Sequence, residues 1–182
     1  MAEKQKLKDP AQVIRARRSS LETRKGYVSL FFRVALLALA GWILCSKVFL
    51  FAQATGSGMF PAVKDGDLMI GFRLQSEYAK NDVIVYTYAG ELCVGRIAAR
   101  EGDVVNIDEA GTLYVNGTQQ SGEILYPTYP RPAVTYPLTV PQGSVFVLGD
   151  YRTASEDSRD RGPIPMTQVQ GKVITILRRR GL

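Results

Sequence analysis

Serine and lysine are the residues left to do covalent chemistry in this chain, because its 182 residues contain no histidine. That absence excludes a Ser-His-Asp triad, a Cys-His dyad and a histidine-based metal centre. A serine can still act as a nucleophile when burial keeps a nearby lysine neutral, since a free amine can accept the hydroxyl proton. Two stretches hold serines in suitable company. The loop Ala54-Thr-Gly-Ser-Gly-Met-Phe-Pro-Ala-Val-Lys-Asp-Gly-Asp67 carries Ser57 among small residues, and Ser155-Glu-Asp-Ser-Arg159 carries Ser155 beside charges. No lysine lies between Lys80 and Lys172. Arg96 stays protonated at physiological pH and cannot take a proton. The two cysteines, Cys45 and Cys93, fall in different parts of the chain and have no metal-ligand spacing, so neither a metal nor another cofactor is expected.

The elements that must position these residues read as β structure. Leu68–Phe72 and Val83–Tyr88 are short β-favouring runs bounded by Gly, Asp and Asn. Val104–Ile107 and Leu113–Val115 flank Asp108–Thr112 as a hairpin, and Asn116-Gly117 is a further turn signal. Asn116-Gly117-Thr118 also fits a glycosylation pattern, but between apolar runs Asn-Gly reads as a turn. Pro127, Pro130, Pro132 and Pro137 make the next stretch an irregular connection with edge pieces. Val145–Leu148 and Val173–Leu177 read as buried strands. No long helical period and no repeat follows residue 52. The expected fold is mainly antiparallel β, with a barrel-like or sandwich core.

Ahead of this domain lies the apolar run Val28–Phe51, interrupted only by Arg33 and Lys47. As a helix it can cross roughly 30 Å of hydrocarbon, with both charges near its ends. The spacing predicts a basic tail over 1–27, a membrane helix over 28–52 and a β domain over 53–182. The tail holds eight Lys/Arg against three Asp/Glu. Such a flank predicts a cytoplasmic amino terminus and an extracytoplasmic domain, a single-pass protein of the cell membrane. Ala52-Gln53-Ala54 has the small-x-small form of a signal cleavage site, but the basic leader and the apolar run are both long for a cleaved signal. The net charge of +6 comes from basic residues concentrated at the two ends, not interleaved with aromatics, so no nucleic-acid partner is expected. The terminal run Leu177–Leu182 reads as a solvated end.

The order of motifs is informative. After the span come Gly56-Ser-Gly-Met-Phe-Pro61 and Lys64-Asp-Gly-Asp67, then Val94-Gly-Arg-Ile97 leading to Gly102-Asp103, then Leu113-Tyr-Val-Asn-Gly117. Val140-Pro-Gln-Gly-Ser-Val-Phe-Val-Leu-Gly-Asp-Tyr-Arg152, Ser155-Glu-Asp-Ser-Arg159 and Gly162 complete the series. This order resembles bacterial signal peptidase I in its compact Gram-positive form, from the span to Lys172. The resemblance implies a membrane-anchored Ser-Lys endopeptidase of β architecture that cuts signal peptides of exported preproteins. It also implies that Gly58 stands in the nucleophile slot, just before Met-x-Pro, and Gly95 in the base slot, just before Arg96. Gly56, Ser57, Met59 and Pro61 then belong to the substrate loop, where the Gly56 backbone can help form an oxyanion hole. Ser155 fills the place of a serine that contacts the lysine amine. Asp150, Arg152, Asp157 and Arg159 are expected to form a buried or half-buried polar network, and Tyr151 replaces the family's usual Asn. With both reacting side chains absent, the resemblance implies a pseudoenzyme, and family members lacking the pair are associated with assembly of surface structures such as pili. The partners implied are the cell membrane and either signal peptides or surface and pilin subunits. The alternative is an active peptidase that uses Ser57 or Ser155 as an atypical nucleophile and cuts after small-x-small sequences.

Overall fold

The computed structural model describes residues 10–120 and 125–178, with residues 10–23 described by backbone only. The chain divides after Ser46 into a helical unit and a β unit. Residues 1–9 of the expected basic tail and residues 179–182 of the terminal basic run lie outside the described residues.

Helix α1 spans Pro10–Val48. Proline suits the first helical position because its missing N–H would have no intrahelical acceptor there, and Lys47 places a cation in the last turn, where the helix dipole favours one. Arg24–Val48 is long and apolar enough to cross a membrane, with a mean hydropathy of 2.2 and none of its most apolar window buried. The predicted span to residue 52 is corrected at its end. The helix stops at Val48, and Phe49–Gln53 is a strand, β1. Its side chains alternate, with Leu50 and Ala52 buried and Phe51 and Gln53 exposed, so a period of two takes over inside an unbroken apolar run.

The remaining strands are β2 (Leu68–Phe72), β3 (Val83–Tyr88), β4 (Glu91–Arg100), β5 (Val104–Ile107), β6 (Leu113–Val115), β7 (Thr118–Gln119), β8 (Leu138–Thr139), β9 (Ser144–Leu148), β10 (Ile164–Pro165) and β11 (Val169–Leu177). Seven form one sheet in the order β1-β2-β11-β3-β4-β9-β10, and four form a second in the order β7-β6-β5-β8. Every pairing is antiparallel. The predicted hairpin is present, with Val105 opposite Val115 and Ile107 opposite Leu113. Asn116 and Gly117 both take positive φ, 52° and 75°, as the turn into β7 requires.

The four residues Val145–Leu148 are all buried because β9 is covered on both faces. Phe146 and Leu148 join Ala99, Val105, Ile107, Leu113 and Val115 in the core shared by the two sheets. Val145 and Val147 pack on the opposite side with Ile84, Tyr86, Ile97 and Ile164. A third cluster holds Leu50, Ala52, Met59, Val63, Met69 and Val85, and this fastens the loop after β1 to the sheet. Beyond β9 a single helical turn, α2 (Ser158–Arg161), is capped by Asp157 and Asp160 in a reciprocal capping box.

Candidate functional site

The loop after β1 meets the segment after β9 where Gly58 lies against Gly149, Tyr151 and Ser155. The Gly58 carbonyl accepts a hydrogen bond from Tyr151 N at 3.0 Å. A Cβ built on Gly58 would lie 3.5 Å from Ser155 Cβ, an ordinary contact. A Cβ on Gly149 would lie 2.2 Å from Ser155 Cβ and 2.5 Å from the Gly58 carbonyl oxygen. Only glycine at 149 therefore lets the two segments touch. Sequence reading did not single out Gly149, although its place between an apolar strand and Asp150 is a signal for such a close approach.

Gly95 lies in the middle of β4, opposite Ile84 on β3, while its neighbour Arg96 pairs with Leu148 on β9. A Cβ there would meet Val147 Cγ1 at 2.3 Å, Leu148 O at 3.5 Å and Tyr86 Cε1 at 3.5 Å. The position is enclosed and largely apolar. Neither Gly58 nor Gly95 has a positive φ, so no backbone strain opposes a side chain at either one.

The residues expected to form a substrate loop separate by exposure. Met59 is buried in the core, whereas Ser57 and Pro61 are exposed. The Gly56 N–H is already given to Asp65 Oδ1 at 2.8 Å, so it is not an idle oxyanion donor in this arrangement.

Behind Gly58 the polar groups are closely partnered. Ser155 Oγ donates to Asp157 Oδ2 at 2.8 Å. The same oxygen accepts from Gly149 N and from Arg159 Nη2, and Asp157 Oδ1 accepts from Arg159 N and Nε. Five donors thus converge on one carboxylate, which offers about four lone-pair positions. Asp157 and Arg159 are each 1% exposed. Arg159 Nη2 also reaches Ser155 Oγ at 3.2 Å. The expected network divides further out. Asp150 pairs with Arg96 through two bonds, at 2.8 and 2.6 Å, and is half-buried. Arg152 is buried, and among the described residues it meets only neutral acceptors, Gly149 O and Thr128 Oγ1, each at 2.8 Å. Burial without a carboxylate contact pushes its guanidinium down to about 10.

Arg131 was not legible as a site residue. It donates to Asp160 Oδ2 and to Ser155 O, which ties the proline-rich connection to the capping box. Tyr151 packs on Phe60 and on Tyr126, with ring centroids 6.3 and 4.6 Å away, so its ring bridges the loop after β1 and that connection. Lys80 pairs with Asp103 at 3.2 Å and Lys172 with Asp82 at 2.7 Å, while Lys64 is exposed. No described lysine side chain is buried.

The family model described as signal peptidase, peptidase S26, matches residues 24–177. The chain belongs to this family. Signal peptidase I of Bacillus caldolyticus is 30% identical over 145 residues, covering 70% of this chain and 79% of the relative. Signal peptidase IB of Staphylococcus aureus is 30% identical over 143 residues, covering 65% and 72%. Thylakoidal processing peptidase 1 of Arabidopsis thaliana is 29% identical over 134 residues, covering 65% of this chain but only 38% of the relative. Among solved structures, a signal peptidase I from Enterococcus faecalis V583 matches with 28% identity and a TM-score of 0.47, covering 55% of this chain and 98% of that one.

Proposed function

We propose that this chain is a catalytically deficient member of the signal peptidase family that holds extended segments of exported polypeptides at the membrane surface. In this reading Gly58 and Gly95 occupy the nucleophile and base slots, the basic amino terminus is cytoplasmic and the β domain is extracytoplasmic. The observation that carries it is that no described lysine side chain is buried, as an amine must be to stay neutral and act as a base. Every described lysine is exposed or engaged with a carboxylate, and the one carboxylate touching Ser155 Oγ already accepts five hydrogen bonds. A serine hydroxyl whose carboxylate neighbour within roughly 2.6–3.2 Å is already saturated with other donors is a poor nucleophile at neutral pH. The arrangement is built to stay closed around Ser155, not to exchange its proton.

Binding needs none of the missing groups. An extended segment can be held by main-chain hydrogen bonds, a binding mode in which small shallow pockets would select small side chains. Surface subunits such as pilins, or the signal regions of preproteins, supply segments of that kind. The test is a titration of the detergent-solubilised full-length protein with fluorescent signal-sequence and pilin-derived peptides. Saturable weak binding is expected, and no binding even at roughly millimolar peptide, about −4 kcal/mol, sinks the reading.

A further inference from the structure

Past Gly58 the substrate loop runs through Phe60, Pro61 and Lys64 along a cavity of about 850 Å³. Its described charged lining is strongly one-sided, with Lys64, Arg96, Arg152 and Arg178 facing Asp150 alone. Asp150 is already held by both of its bonds from Arg96. Arg152 is 5% exposed, its Nε and Nη1 serve neutral oxygens, and no described carboxylate lies within ion-pair distance of it. Lys64 and Arg178 are exposed at the rim and form no ion pair with a described residue. A guanidinium taken out of water without an anion is unfavourable, and the Arg fork fits a planar carboxylate better than a lone ammonium does.

We infer that this cavity is an anion site that receives an acidic side chain of the bound polypeptide, with its carboxylate seated between Arg152 and the rim formed by Lys64 and Arg178. The inference rests on the polypeptide-holding reading and adds a sequence preference to it. The apolar part of the lining, Phe60, Pro61 and Leu113 among it, favours a side chain whose methylene stem can be covered over a small hydrated anion. The cavity adjoins Gly58 through consecutive residues of one loop, so a segment crossing Gly58 can place a neighbouring residue in it.

The test compares two alanine-rich peptides, one carrying a single glutamate and the other glutamine in its place, against the full-length protein in neutral detergent at low salt. The glutamate peptide is expected to bind about tenfold more tightly, in line with a hydrogen bond to a charged group. Arg152→Gln should remove that preference. Because Arg152 is buried and its variant could misfold, a Lys64→Gln, Arg178→Gln double variant confined to exposed positions should also reduce the preference. Equal affinity of the two peptides overturns the anion site and leaves polypeptide binding standing, whereas failure of both to bind overturns both. A glutamate preference that survives in the double variant and in a folded Arg152→Gln overturns the residue assignment. Capture of phosphatidylglycerol vesicles in preference to the glutamate peptide, lost in the same variants, gives the cavity to lipid headgroups and also overturns the inference.

Discussion

Placing a serine at Gly58 and a lysine at Gly95, the two proposed slots, is a packing problem before it is a catalytic one. At Gly58 a serine has room, because its Cβ would sit 3.5 Å from Ser155 Cβ. At Gly95 even a Cβ would lie 2.3 Å from Val147 Cγ1. Val147 is 0% exposed and β-branched, so it has little rotamer freedom with which to yield. Gly95→Lys alone is therefore expected to destabilise the domain by about 1–3 kcal/mol, the usual cost of overpacking, before the burial of its amine is counted. Val147→Ala alone leaves a small void and costs about 1–2 kcal/mol. Combined, the lysine methylenes fill the space that the valine methyls leave, so the costs should fall short of their sum by about 0.5–3 kcal/mol, the range seen for residues in contact. Thermal unfolding of the four members of this cycle measures the coupling. The same geometry predicts that Gly58→Ser, Gly95→Lys is folded poorly and nearly inert, and that adding Val147→Ala yields measurable cleavage of a preprotein. That activity should fall as pH drops, because the lysine works only while neutral and its apolar surroundings lower its pKa. Strict additivity in the cycle, or a Gly95→Lys protein as stable as the parent, refutes the packing argument. A well-folded triple variant that never cuts refutes the assignment of the slots.

Other perturbations follow from the polar groups. Asp157→Asn leaves the Arg159 charge buried without its partner and is expected to cost about 3–5 kcal/mol, read as a large drop in unfolding temperature. Burial raises the Asp160 carboxyl, but the hydrogen bonds from Arg131 and the Asp157 backbone, with the nearby charges of Arg131 and Arg159, together outweigh it and hold the group below its usual range. A carboxyl lowered in the folded state adds stability above about pH 4, and that stability is lost as pH falls through the folded pKa. Asp160→Asn should therefore flatten the acid limb of stability against pH, and an unchanged limb contradicts this. At the other extreme burial pushes the Tyr86 hydroxyl up to about 12, so its contribution is complete below about pH 10 and disappears as pH rises toward 12. Tyr86→Phe should weaken the alkaline loss of stability, measured by denaturant unfolding across that window.

Much of the β domain was legible because its signals are local. The hairpin over 104–115 shows alternation on both sides of a turn, and Asn116-Gly117 marks the next reversal. The end of α1 was not legible, since Phe49, Leu50 and Phe51 continue the apolar run and only pairing with β2 reveals a strand. β4 was read only as a motif because Gly95, Ala98 and Ala99 dilute its β signal, and its strand character comes from neighbours on both sides. At the site, Ser155, Asp157 and Arg159 are close in sequence and could be read together. The contact of Gly149 with Gly58 and the reach of Arg131 to Asp160 join segments far apart in the chain, where no spacing rule applies.

The central claim is that this member of the signal peptidase family holds its polypeptide without cutting it. Its most direct test is to incubate the purified full-length protein in detergent with an equimolar preprotein and to identify the polypeptides by mass spectrometry after a time in which an active signal peptidase I completes processing. The account predicts the intact preprotein alone. A mature product cut after a small-x-small sequence, and lost when Ser155→Ala or Ser57→Ala is introduced, contradicts it.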